Sequence, residues 1–535
     1  MKMKRLAGSI ALVATVVAPA FAASAPAGPE FAANTYTLGR QKFTTVAIDG
    51  SGGFVVTWAG ELADGSGYGV FARGFDSAGA PAAGESQINS FTTGDQSFPD
   101  VAANAAGDFV VVWTSAAQDG DARGVFGRRV DGTGSPLGAE FQINTYATGE
   151  QYDPHVALDG AGNFVVVWTG AGEDGSATGV FGRLFDSAGT PVSAEFQVNT
   201  TTTSYQQQPA VARGSAGDFV VTWSSFNQDA SADAVVGRRF DSTGAPLGGE
   251  FQINTYTPLA QYDSSVGLDG SGNFVVVWTS VFQDGSGNGI FGRRFDGAGA
   301  PLGGEFLVNS FTIGLQRLSS LAVEDSGSFV VAWSSYYEDG SYDGVFARRF
   351  DSAGAPSGSG FQVNTYATGQ QYRPSVALAA SGDFVVTWSS YGQDGGREGV
   401  FGQRFCPDLD GDGLCDAADI LVTDPHAGDS VDCSDPAAVQ PIIEWDAGHF
   451  DKFKVFIATD PGFAAGTVSS GKKLITSDSY TPPAKKWKAA CTKALAANPS
   501  SPVLFIEVQG VDTDVTKRDP HRKTFSQVVQ AVVTP

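Results

Sequence analysis

The chain has 535 residues, of which 69 are glycine and only two are methionine, a composition that favours β-structure rich in tight turns over helix. Acidic residues outnumber basic ones by 57 to 33, and the resulting net charge of −24 repels nucleic acid and anionic lipid, so both are set aside as partners. The same charge suits a soluble exported protein or one that binds cations.

Residues 1–22 read as an export signal. Lys2, Lys4 and Arg5 form a basic start, an apolar stretch runs from Leu6 to about Val17, and Ala20-Phe21-Ala22 supplies the small-x-small cleavage pattern, which places the mature start near Ala23. No later run is long and apolar enough to span a bilayer, so the expected location is the periplasm or the outside of the cell, with attachment to the cell surface left open.

The next feature is a repeat. Trp58, Trp113, Trp168, Trp223, Trp278, Trp333 and Trp388 recur at one constant step, and so do seven Gln (Gln41 to Gln371), seven Asp (Asp64 to Asp394) and seven Asn (Asn34 to Asn364). Each copy holds four strand-like runs, called A to D. In the third copy they are His155–Leu158, Phe164–Trp168, Val180–Phe185 and Glu195–Asn199, separated by turns rich in Gly and Asp. The second run is apolar on both faces, as a central buried strand should be. Four antiparallel strands per repeat fit a propeller blade. The chain enters the array with a D-type strand, Glu30–Asn34, and leaves it after a C-type strand ending at Phe405, so the first strand is expected to complete the last blade and close the ring. The fold class is therefore all-β, with a seven-bladed β-propeller over residues 23–405. The motifs Gly-x-Phe-Val-Val-x-Trp, Gln-Asp-Gly, Gly-Val-Phe-Gly-Arg-Arg-Phe-Asp and Glu-Phe-Gln-Val-Asn-Thr resemble a propeller-like repeat family of exported bacterial proteins. That resemblance implies a fold and no particular activity.

Residues common to all copies are expected to serve the blade: Trp in the core, the strand C Arg set between blades, and the Asp of Gln/Glu-Asp-Gly as a turn cap, with a seven-fold carboxylate ring as the alternative for the last. Variation among copies points elsewhere. The B–C and D–A connections emerge on one face, and there Tyr152, Phe226, Tyr262, Phe282, Tyr336, Tyr337, Tyr372, Arg373 and Tyr391 form a candidate surface for a glycan, peptide or protein. The four His (His155, His426, His449, His521) are scattered, and no nucleophile elbow, zinc-binding His pair or phosphate loop is present, so no catalytic residue is assigned.

Residues 406–431 form a linker in which Asp408, Asp410, Asp412, Asp416 and Asp419 fall at positions 1, 3, 5, 9 and 12 of a calcium loop, with Gly413 at the sharp turn and the Leu414 carbonyl as a further oxygen. This segment is similar to a thrombospondin type 3 repeat, and less so to half a dockerin, which implies one bound Ca²⁺. Cys406, Cys415, Cys433 and Cys491 are expected to form two disulfides in an oxidising compartment, with Cys406–Cys415 and Cys433–Cys491 preferred among three pairings. Residues 432–535 carry strand-like runs and an early Trp445 that resemble a fibronectin type III-like β-sandwich. The function expected is a secreted or surface-associated, non-enzymatic binding or adhesion protein. The alternatives are a propeller glycoside hydrolase or lyase, and a structural envelope or matrix component.

Overall fold

The computed structural model describes residues 23–408 continuously, together with strands Val422–Asp424, Ser430–Asp432, Ile443–Trp445, Lys452–Ala458, Val468–Ser469, Ser479–Tyr480, Val503–Val511 and Thr524–Thr534. The chain divides into two compact units, 1–405 and 406–535. Among the described residues, no helix is long and apolar enough to cross a membrane.

The first unit is a seven-bladed propeller. Strand A is Gln41–Ile48 in blade 1, then Gln96–Ala103, Gln151–Leu158, Gln206–Arg213, Gln261–Leu268, Gln316–Val323 and Gln371–Leu378 in blades 2 to 7. Strand B (Phe54–Glu61 in blade 1) and strand C (Tyr68–Phe75) follow, with antiparallel pairing throughout. A short strand D, Ser86–Gln87 in blade 1, lies outermost. In blade 7 strand C is Glu398–Asp408, and its outer partner is the N-terminal Phe31–Ala32, with Ala23–Pro26 further along the same edge. The ring is therefore closed by the first strand, which leaves no unpaired propeller edge at the seam.

Strand B is sandwiched between neighbouring blades, which explains why both of its faces are apolar. In blade 4, Phe219, Val221 and Trp223 point toward blade 3 and meet Val165, Val167, Leu184 and Val198. The same arrangement recurs at every interface, and at the seam it recruits Ala33 from the closing strand against Trp58 and Phe54. All seven repeat Trp, Trp58 to Trp388, are fully buried.

Polar clasps cross each interface. Arg183 Nη1 donates to the carbonyl of Ile143 in the preceding blade at 2.9 Å, and its guanidinium lies 5.6 Å over Phe185. Arg128, Arg238, Arg293 and Arg348 repeat the bond to the blade before. In blade 7 the place is taken by Gln403, which reaches Gly28 instead. The repeat Asp is a turn cap: Asp174 Oδ1 accepts the Ser176 N–H at 2.9 Å, and Asp119 Oδ2 accepts Asn144 Nδ2 at 3.0 Å. It builds no carboxylate ring.

A second clasp shows what one substitution does. Glu140 accepts the Ser90 N–H and the Gln118 amide at 2.7 Å each. Blade 3 has Glu173 in place of that Gln, facing Glu195. Glu195 in turn accepts the Thr145 N–H at 2.5 Å. Two carboxylates share the contact only if one is protonated, and burial together with the Glu195 charge pushes Glu173 up to about 9. Unfolded Glu titrates near 4.3, so stability falls as pH rises from there to about 9. Glu173→Gln keeps the donor without the proton. It is expected to match the parent near pH 4.5 and to exceed it at pH 8 by about 1–2 kcal/mol, after discounting for the half-exposed site. Thermal unfolding at both pH values tests this; a gap that does not widen with pH removes the shared-proton account.

Two features differ from the sequence reading. Strand A starts at the repeat Gln, four residues before His155 in blade 3, because a β-bulge interrupts the alternation: Tyr152 pairs with Thr169 while His155 pairs with Val167, leaving one extra residue on strand A. The second is the C-terminal unit, where the described strands form a three-stranded and a five-stranded sheet, the latter with Ser430–Asp432 running parallel to Thr524–Thr534. The packing that would make a fibronectin type III-like sandwich of them lies outside the described residues. The predicted calcium loop falls outside the described residues except for Asp408, which ends strand C of blade 7. Cys415, Cys433 and Cys491 also lie outside them, and Cys406 is buried at the end of the propeller.

Candidate functional site

The bulge is repeated in all seven A strands. Its first residue is Phe43, Phe98, Asp153, Gln208, Asp263, Leu318 and Arg373 in turn, and each has φ between 52° and 57°. Left-handed backbone at a non-glycine residue costs on the order of 1 kcal/mol, yet none of the seven is glycine. Strand A is the innermost strand, and Gln41 pairs with Gly60 at the end of strand B that feeds the B–C loop. The bulge residues therefore sit in the channel just below the long-loop face. They line a cavity of about 690 Å³ together with the residues that follow them on strand A.

Its chemistry is uneven. Blades 3 to 5 contribute Asp153, Gln208 and Asp263. Gln208 Nε2 donates to Asp263 Oδ1, and Gln208 Oε1 accepts the Ser224 hydroxyl at 3.1 Å, which fixes the amide's direction. The Asp153 backbone N–H is held by Thr114 Oγ1 at 3.2 Å. On the other side, Phe43 and Phe98 meet with ring centroids 4.3 Å apart, and the Arg373 guanidinium lies 5.0 Å over Phe43. One layer deeper, His155 Nδ1 is 3.4 Å from Asp100 Oδ2 of the neighbouring blade, which also accepts the Val156 N–H at 2.9 Å.

The charges influence one another. Burial and the charge of Asp153 push Asp263 up to about 6, against the opposing pull of Arg373. Burial also raises Asp153, with His155 and Arg373 acting the other way. Burial alone would lower His155, but its hydrogen bond to Asp100 and the charges of Asp100 and Asp153 outweigh that and take it to about 9. The imidazole is thus cationic at neutral pH, while 39% of its side chain still touches the solvent of the channel.

Of the residues singled out from sequence, Tyr152 and Arg373 line this cavity. Tyr262 and Tyr372 occupy the strand position just before the bulge and are tied to strand C of their own blade. The Tyr262 hydroxyl accepts from Asn288 Nδ2 at 3.0 Å, and Tyr372 is bonded to Glu398, which with burial pushes its hydroxyl up. Phe226, Tyr336 and Tyr391 end strand B of blades 4, 6 and 7, while Phe282 and Tyr337 follow strand B in left-handed turns with φ of 59° and 62°. Tyr337 packs edge-on against Tyr336 at 4.4 Å. These five do not line the cavity; they make an outer aromatic arc over blades 4 to 7. Asp100, His155, Gln208, Phe43 and Phe98 were missed as site residues. A signal existed: at one step of the repeat, inside an otherwise constant frame, the residue changes from copy to copy. Among the described residues no group of three or more His, Cys, Asp or Glu side chains is placed to hold a metal ion.

No family model matches the chain, and no curated protein matches it. Solved propellers do. A Dyadobacter fermentans protein of unknown function covers 71% of this chain and 98% of its own at 10% identity and a TM-score of 0.43. A Penicillium chrysogenum α-L-arabinanase complexed with arabinobiose covers 58% and 92% at 15% identity and 0.41. The phage phi92 endosialidase covers 85% and 76% at 8% identity and 0.41. These values describe likeness of fold alone and carry no argument about activity. The class defined by the chain's own strand order is a seven-bladed β-propeller closed by its N-terminal strand.

Proposed function

We propose that this is an exported, non-enzymatic binding protein whose ligand enters the channel from the long-loop face, with the outer aromatic arc contacting any larger glycan, peptide or protein to which that ligand belongs. The observation that carries the reading is the bulge ring. One strained backbone position is kept in seven blades while five residue types occupy it, which is how a fixed scaffold displays variable chemistry to one cavity. Export rests on the residues 1–22 pattern, and one Ca²⁺ on Asp408, Asp410, Asp412, Leu414, Asp416 and Asp419 would stiffen the connection to the second unit.

A second reading is favoured by one observation. Asp153 and Asp263 are carboxyls with raised proton affinity in the same cavity, as a glycoside hydrolase or lyase requires. What stands between them in the ring is Gln208, a group that neither donates a labile proton nor attacks.

The test is a glycan-array and aryl-glycoside screen of the exported chain, with calcium and with chelator. Binding without turnover, weakened at least about tenfold by Arg373→Ala, is the expected result, about 1.4 kcal/mol of lost contact. Turnover abolished by Asp263→Asn would establish the hydrolase instead. Binding that responds to Tyr337→Ala and not to Arg373→Ala would move the site to the outer arc.

A further inference from the structure

We infer that the cavity is built for a small organic cation with an apolar body, a protonated amine carrying an aromatic or branched aliphatic group. This deepens the binding reading above and rests on it.

The ring is polar in one arc and apolar in the other. Asp153, Gln208 and Asp263 stand side by side on blades 3 to 5, while Leu318, Phe43 and Phe98 come from blades 6, 1 and 2. Arg373, on blade 7, is set over the Phe43 face. Lys42 Nζ covers Phe43 as well, at 4.6 Å. The other charged groups at the site are committed. His155 is held by Asp100, and Arg123, at the edge, is 3.9 Å from Glu150. Asp233, at the start of strand C in blade 4, adds a further negative charge felt by Asp263. What is left inside the cavity is two carboxylates. Asp263 takes one hydrogen bond, from Gln208. The Asp153 carboxylate takes none from any described residue.

Placing two like charges in one narrow channel is unfavourable, and burial already raises the proton affinity of both. An ammonium group between them supplies the opposite charge and three donors at once. Its apolar body then falls against Phe98 and Leu318, where displaced water is a gain. Among the charged groups that line the cavity, His155 is paired with Asp100 and Arg123 with Glu150 outside it, which leaves Asp153 and Asp263 against Arg373, a surplus of one negative charge that one monocation cancels. An anion of the same size meets two carboxylates, while Arg373 and Lys42 are already set over Phe43 and His155 and Arg123 already face Asp100 and Glu150. Protons compete with the amine for Asp263, so lowering the pH through about 6 weakens binding.

The experiment is calorimetric titration of the exported chain with phenethylammonium, and with phenylacetate, 2-phenylethanol and ethylammonium as probes lacking one feature each. Saturable binding of phenethylammonium at pH 7 is expected, about tenfold weaker at pH 5. Ethylammonium should bind at least about tenfold more weakly, since it lacks the ring's buried area. Phenylacetate should not saturate. The Asp153→Asn/Asp263→Asn double variant should lose about tenfold or more while melting no lower than the parent, because it removes a repulsion. Phenylacetate binding as tightly as the amine, or an amine affinity unchanged by the double variant, overturns the inference. If 2-phenylethanol or a neutral glycan binds and responds to Arg373→Ala, the cavity is a binding site and the ligand class is wrong. If no probe or glycan responds to any cavity variant, the binding reading falls with it.

Discussion

Removing residues 23–34 is expected to open the propeller and give a protein that associates more than the parent or melts far earlier. The closing strand supplies bonds that nothing else can replace. The Ala33 N–H donates to the Val400 carbonyl at 2.8 Å, and the Ala27 N–H donates to Arg404 at 2.8 Å. Asn34 Oδ1 accepts the Val400 N–H at 2.6 Å, and Glu30 accepts the Thr365 N–H at 2.7 Å. Phe31 packs on Phe75 with centroids 5.1 Å apart, and the Ala33 carbonyl accepts Arg73 Nη1 of blade 1 at 3.1 Å. Loss of one large core side chain costs about 3–5 kcal/mol. Several buried hydrogen bonds at about 1 kcal/mol each bring the total to on the order of 5–10 kcal/mol, comparable with the net stability of a domain. The bare edge of strand C in blade 7 would also be free to pair with another chain. Size-exclusion chromatography and thermal unfolding test this, and a synthetic peptide of residues 23–34 should restore the parent's size and melting temperature. A truncated chain that keeps the parent's size and melts within a few degrees of it would show that the seam carries no weight.

Trp223→Ala is expected to cost about 3–5 kcal/mol, whereas Trp223→Phe should cost only about 1 kcal/mol. The indole is fully buried at the interface of blades 3 and 4, among Val165, Val167, Leu184 and Val198. Truncation leaves a cavity between two sheets, and the ring has little room to collapse because the clasps from Arg238 and Glu250 hold the blades at a fixed spacing. Phenylalanine behaves differently for a polar reason. The Trp223 Nε1–H has no hydrogen-bond partner among the described residues, and the same holds for Trp113, Trp168, Trp278, Trp333 and Trp388. Losing a donor that is buried and unpaired offsets part of the lost packing. Urea unfolding of both variants decides: equal costs would mean that the N–H is satisfied, by water for instance, and that the repeat keeps Trp for more than bulk.

The propeller was legible because its determinants are local and repeated seven times. Trp58 to Trp388 mark strand B, the Asp and Asn sets mark the turns, and the D-type start with a C-type finish announces the closure. The cavity was not legible, for two physical reasons. A bulge breaks the two-residue alternation, so Tyr152 and Asp153 read as loop and strand A was started at His155. Moreover, side chains that meet in the channel are separated by whole repeats: Phe43 and Arg373 stack across the seam, and Gln208 reaches Asp263 across one blade interface. The aromatic residues chosen from the loops were visible because they differ from copy to copy, yet Tyr262 and Tyr372 turn out to be tied to their own blade.

Closure by the first strand also sets an order of events. Glu30 meets Thr365 across 335 residues of chain, a separation that makes this the slowest class of contact to find. The strand that finishes the ring is made first and has no partner until strand C of blade 7 exists. During that interval six blades can stack on one another, each interface needing only adjacent repeats, while one orphan strand and one bare edge are both exposed. Two chains folding side by side can exchange those strands with the same bonds that seal one ring. The yield of rings sealed by their own first strand is therefore governed by chain concentration during folding, and dilution is the control that the seam's architecture itself dictates.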